Sequence, residues 1–199
     1  MGVRLGTQHR RTGRRGEPSG PRGRPLAISH GAIPTTVALV AVAAGANHTL
    51  ALDSDGFVYA WGTNSWGEVG NGATGDPVLE PTRVLAGALP GGVRIIDVAA
   101  GSHHSVALGS DGRLYAWGRN DLGQLGEGTT DSRAIPVSVN LGAMLPSSRV
   151  VTLAAGAFNT YAITDDRLTY AWGVGSDGQL GNGNASPWAT SPARVTVVP

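Results

Sequence analysis

The chain has 199 residues, of which 31 are Gly, about twice the ordinary share. It contains no Cys, which excludes a disulfide framework, a thiolate metal site and a thiol nucleophile. A composition 41% hydrophobic and 15% charged fits a globular body, and no apolar run reaches the roughly 18 residues of a membrane-spanning helix, so no membrane association is expected.

Charge divides the chain. Residues 1–24 hold seven Arg and one acid, Glu17, for +6, while residues 25–199 hold eight Arg and thirteen acids, for −5. The first 24 residues are rich in Gly, Arg, Pro and Ser, cannot bury a core, and read as a disordered basic tail. Such an arm could touch nucleic acid by charge, but no aromatic residue is interleaved to stack on bases, so nucleic acid is not expected as a partner beyond this tail. The apolar stretch from Val37 to Ala44 behind it has the look of a signal-peptide core. That stretch recurs twice downstream, however, and cleavage would destroy the first repeat; the uncleaved reading favours the cytoplasm over secretion. The absence of Lys beside abundant Arg, Ala and Gly is a GC-rich, bacterial-type composition.

Self-similarity organises the rest. Ala43-Ala44-Gly45, Ala99-Ala100-Gly101 and Ala154-Ala155-Gly156 recur at spacings of 56 and 55. Tyr59-Ala60-Trp61-Gly62, Tyr115-Ala116-Trp117-Gly118 and Tyr170-Ala171-Trp172-Gly173 keep the same period, as do Gly67-Glu68-Val69-Gly70, Gly123-Gln124-Leu125-Gly126 and Gly178-Gln179-Leu180-Gly181. A marker headed by Pro25, Pro81, Pro136 and Pro192 completes the set. The repeats therefore run at about 25–80, 81–135 and 136–191, with 192–199 as the start of a fourth.

Each unit predicts β-structure. After the Ala-Ala-Gly marker, His48 to Leu52, His104 to Leu108 and Asn159 to Ile163 alternate larger apolar residues on one face with Thr, Ser and Ala on the other. Such strands suit sheets stacked face to face. Asp55-Gly56 and Asp111-Gly112 then mark hairpin turns leading into the Tyr-Ala-Trp-Gly strand. The third unit has Arg167 where the others have turn Gly, so that turn should be strained or of another type. No segment shows sustained helical periodicity. Short strands, hairpins and a period near 55 predict radially stacked four-stranded blades.

The order Val-Ala-Ala-Gly, His, Leu-Ala-Leu, Asp-Gly, Tyr-Ala-Trp-Gly, Asn-x-x-Gly-Gln-Leu-Gly resembles the regulator of chromosome condensation repeat, over about residues 25–199. The resemblance implies an all-β fold, a β-propeller that usually has seven blades. Three four-stranded blades cannot close a ring, so the chain is expected to be an incomplete, open propeller. It reads first as a portion of a larger propeller, next as a ring closed by self-association, and last as an open curved array.

Isolated chemical motifs dissolve into the repeat. Gly70, Gly72 and Gly75 match a dinucleotide pattern, but no helix follows and the first two recur in each unit. Asp53-Ser54-Asp55-Gly56 fails the calcium-loop spacing at Phe57 and Asn64. Ser102-His103-His104-Ser105 and Asp165-Asp166 are read as structural, so no catalytic, cofactor or metal residues are expected. Trp61, Trp117 and Trp172 are equivalent and are read as inter-blade packing. Partner binding is assigned instead to unrepeated aromatics and varied loop positions: Trp66, Trp188, Asn47, His103, Phe158 and Arg119.

The function this favours is a non-catalytic protein-interaction scaffold with a protein partner and no cofactor. Guanine-nucleotide exchange on a small GTPase is implied by resemblance to the founding member of the family. That activity requires an insertion that the uniform spacing does not provide. A secreted propeller-type protein inhibitor is the third reading, set against an aromatic content of only 6%.

Overall fold

Alternating apolar and small residues, cut by turn glycines, build twelve strands and no helix among the described residues, 27–184 and 186–196 of this computed structural model. The basic tail and the marker residue Pro25 lie outside them. The first sheet is β1 (Leu39–Ala44), β2 (His48–Asp53), β3 (Val58–Asn64) and β4 (Gly75–Arg83). The second is β5 (Ile95–Ala100), β6 (His104–Gly109), β7 (Leu114–Gly118) and β8 (Arg133–Ser138). The third is β9 (Val150–Ala155), β10 (Asn159–Thr164), β11 (Thr169–Val174) and β12 (Trp188–Arg194). Each is an antiparallel four-stranded meander in sequence order, so the fold is three blades of an open propeller.

The blades stack through their inner strands, β1 and β2 against β5, and β5 and β6 against β9. Leu50 and Leu52 of β2 enter a core with Val98, Ala107, Tyr115 and Trp117 of the second blade. Val106 and Leu108 repeat this against Leu153, Ala162, Tyr170 and Trp172 of the third. Large aliphatics on one sheet face meet small Ala and flat aromatic rings on the next, which lets two sheets approach closely.

The blades are out of phase with the sequence repeat. Pro81, Pro136 and Pro192 head the repeat units, yet they sit in β4, β8 and β12, the outermost strand of the blade just completed. Residues 192–194 accordingly close the third sheet instead of opening a fourth. Proline has no N–H to give a ladder, so an edge strand is where it fits. Its carbonyl is then covered by a connector: Ala32, Ala88 and Ala143 donate their N–H groups to the Pro81, Pro136 and Pro192 carbonyls at 2.7, 2.9 and 2.8 Å. Each connector thus clips the edge of the blade it leads into, which blunts that edge against pairing with other chains.

The two end faces differ. Val42 of the first blade is 71% exposed, whereas its equivalents Val98 and Leu153 are covered by the preceding blade to 8% and 7%. At the other end the third blade bonds to itself. Asn159, in place of His48 and His104, donates to the Val174 carbonyl of its own sheet. Tyr161, in place of Leu50 and Val106, donates its hydroxyl to the Gln179 carbonyl at 3.3 Å.

Candidate partner-binding face

In a four-strand meander the first and third turns lie at one end of the blade. Turn β1–β2 and loop β3–β4 of each blade therefore share a face, and the varied residues ride on them. Backbone bonds tie these two segments together: Thr63, Arg119 and Val174 donate their N–H groups to the Asn47, His103 and Phe158 carbonyls at 2.7, 2.8 and 3.1 Å. The bond needs a close approach. Gly118 has φ of +98°, and a Cβ there would lie 2.6 Å from the His103 carbonyl oxygen. The two varied sets are thus one paired position per blade.

In the second blade that pair carries His103 and Arg119. The Arg119 guanidinium lies 5.1 Å from the Trp66 ring centre of the first blade and 5.7 Å from the Phe158 ring centre of the third. Both distances are within cation–π range. Asp121 fixes the group from one side, accepting from Nε at 2.8 Å and Nη2 at 2.5 Å. The same bonds hold the Asp121 carboxyl below its usual range. Four of the expected residues, Trp66, His103, Arg119 and Phe158, thereby converge across three blades. Asn47 and Trp188 are exposed and take no part in the Arg119 contacts.

Beneath Trp66 sits a residue that sequence reasoning missed. Glu68 replaces Gln124 and Gln179, and its carboxylate is fully buried. One oxygen accepts from the Trp66 N–H at 2.8 Å and the other from His103 Nδ1 at 3.2 Å. In the other blades the Gln side chain accepts the matching loop N–H, from Leu122 and Asp177, at 2.9 Å. The Glu-for-Gln change against a His in the next blade was the available signal. Asn64 and Asn120 brace the same loops, their side-chain oxygens accepting from the Val69 and Leu125 N–H groups at 3.0 and 2.9 Å.

The glycine pattern at Gly70 and Gly72 serves packing. A Cβ on Gly70 would stand 2.8 Å from the indole nitrogen of Trp117, and one on Gly126 2.5 Å from that of Trp172. Those nitrogens donate to the Glu68 and Gln124 carbonyls at 2.8 and 3.0 Å. No group of three His, Asp or Glu side chains among the described residues is arranged to hold a metal.

Two profiles of the Regulator of chromosome condensation (RCC1) repeat match the chain, one at residues 55–108 and 111–163, the other at 39–68 and 95–124. The chain is 36% identical over 159 residues to the Ultraviolet-B receptor UVR8 of Arabidopsis thaliana, covering 79% of this chain and 34% of the receptor. It is 36% identical over 149 residues to the E3 ubiquitin-protein ligase HERC2 of Homo sapiens, covering 73% of this chain and 3% of the ligase. Among solved structures, Prp20p from Saccharomyces cerevisiae matches with a TM-score of 0.69 at 29% identity, over 80% of this chain and 38% of that one. That structure is described together with the yeast protein's binding to Gsp1p and histones. Human WBSCR16 matches with a TM-score of 0.68 at 28% identity, over 78% of this chain and 37% of that one. The chain spans about a third of the plant receptor's length and far less of the ligase's.

Proposed function

Because the chain belongs to the regulator of chromosome condensation repeat family, we propose that it is a non-catalytic scaffold whose loop face docks a protein partner. One observation carries this reading: the Arg119 guanidinium bridges Trp66 and Phe158 from two other blades. Trp and Arg are the residues that most often anchor protein interfaces. Here the Arg is already held by Asp121, so docking need not order it first. Supporting it, the structure of the related Prp20p is described with protein binding.

The test uses the full chain as bait, with and without Trp66→Ala and Arg119→Ala together. The wild-type chain is expected to retain a stoichiometric protein partner that the double variant loses while melting at the same temperature. Retention by a folded double variant would overturn the assignment of this face. Nucleotide exchange on a small GTPase has less support, since the repeat spacing of 55 and 56 leaves no insertion to act as a wedge. A secreted inhibitor has less again, with few aromatics on the loops. Self-association that covers the first blade is a compatible second property, favoured by the exposure of Val42.

A further inference from the structure

At the opposite end of the blades, where the β2–β3 hairpin meets the connector from Val84 to Arg94, the first and second blades enclose a cleft of about 630 Å³. The equivalent site between the second and third blades is closed to about 10 Å³. The repeat explains the difference residue by residue. Leu141 and Met144 line the closed site, and Ala86 and Leu89 stand at those positions in the open one. Arg113 Nη2 reaches across the closed site to the Pro146 carbonyl at 3.4 Å, and Arg149 Nη2 to the Ser110 carbonyl at 2.9 Å. In the open site Phe57 replaces Arg113 and cannot make that bond. Arg94, the counterpart of Arg149, lies 3.8 Å from Asp55 instead. Ser148, tied to Asp166 at 2.9 Å, is replaced by Val93. The cleft is therefore a property of this one interface, opened by several concerted replacements, and not of the fold.

We propose that this cleft binds a small amphipathic acid, its apolar body against Ala86 and Leu89 and its carboxylate at Arg83. The volume falls within the range of small-molecule sites, about 300–1,000 Å³. The accessible apolar lining is Leu85, Ala86, Leu89 and Val93, with Val58, Ala107 and Trp117 buried, which calls for an apolar body. Arg83 lies over the Phe57 ring at 3.7 Å at the edge of the cleft. Among the described residues Arg83 has no carboxylate partner, and its counterpart in the second blade is Ser138. Arg94 and Asp55 also line the cleft and offset each other at 3.8 Å, which leaves Arg83 as the net charge there and favours an anion.

Decanoate and its uncharged methyl ester are the probes, titrated into the full chain by calorimetry. The wild-type chain is expected to bind decanoate saturably and in preference to the ester. Ala86→Leu with Leu89→Met gives the open site the apolar side chains of the closed one and should weaken decanoate about tenfold or more. Arg83→Ser should erase the preference for acid over ester while leaving ester binding in place. The proposal is overturned by absence of saturable binding, or by equal binding to the filled variant, which would place decanoate on the open blade faces. Should the filled variant not fold, the surface variant Arg83→Ser decides: an unchanged acid-to-ester ratio overturns the proposal.

Discussion

His48 of the first blade meets Ser105 of the second at 3.0 Å, and His104 meets Thr160 of the third at the same distance. The hydroxyls fix the tautomer. Ser105 already donates to the Glu68 carbonyl and Thr160 to the Gln124 carbonyl, both at 2.9 Å. Each hydroxyl must then accept, so Nε2 carries the proton and donates. Nδ1 of both rings is buried with no partner among the described residues, facing Gly45 and Gly101, where a Cβ would lie 2.4 and 2.3 Å away. The blades are thus joined by neutral imidazoles.

Acid should therefore loosen the stack. Burial lowers the affinity of both rings for a proton, His48 below its ordinary 6.5 and His104 to about 3. The unfolded chain binds those protons first, so stability is full above about pH 6.5 and falls as pH drops toward 3. Thermal melts across that range should show a steady loss. His104→Asn, borrowing the residue of the third blade, should flatten the slope. A melting temperature constant from pH 7 to 4.5 would contradict the neutral-imidazole joint.

The repeated tryptophans should not be equivalent. Trp172 and Trp117 each donate across a blade boundary, while Trp61 has no preceding blade and no such partner among the described residues. Trp172→Phe is expected to cost about 1–3 kcal/mol through the lost bond to the Gln124 carbonyl, which keeps Thr160 as donor, together with the void the smaller ring leaves in a fully buried site. Trp61→Phe should stay within about 0.5 kcal/mol. Denaturant melts of the two variants make the comparison, and equal losses would contradict it.

The third hairpin holds a removable strain. Arg167 takes φ of +65° where Gly56 and Gly112 take +83° and +74°. A side chain in that region costs about 1 kcal/mol relative to Gly. Arg167→Gly should raise stability by about that amount, read as a higher melting temperature at constant denaturant slope.

The bare first blade should drive self-association. Val42 is exposed where its counterparts are buried, and an apolar sheet face of this kind seeks cover. Light scattering coupled to size exclusion should find a species heavier than one chain, and Val42→Asp should shift it toward monomer. A wild-type chain that stays monomeric at every concentration would show that face to be self-sufficient.

Much of this architecture was legible in the sequence because it follows local rules. Alternation gave the strands, Asp-Gly gave two hairpins, and the departure at Arg167 marked a turn either strained or of another type, which its φ of +65° shows to be the strained one. The phase of the blades was not legible: a Pro-headed marker looks the same whether it opens a unit or closes one, and only pairing to β3, β7 or β11 decides. Reading variation between equivalent positions singled out His103, Arg119 and Phe158 as candidates, and the structure sets these positions on one face. Their convergence with Trp66 depends on how blades stack, which no spacing along the chain encodes. Glu68 and Asp121 escaped notice because each looks like ordinary loop polarity until its partner in space is known. The cleft escaped for the same reason, since Ala86 and Leu89 are unremarkable until Leu141 and Met144 are seen filling the equivalent space.

The measurement that bears most directly on the loop face is an alanine scan read as affinity for the captured partner. Trp66→Ala, Arg119→Ala and Phe158→Ala should each weaken binding by about 1–2 kcal/mol or more. Leu79→Ala, on the outer strand β4 and 86% exposed, should leave Kd unchanged. If the three loop variants bind as the wild type does, or if Leu79→Ala weakens binding as much as they do, the partner docks elsewhere and the role assigned to Arg119 is wrong.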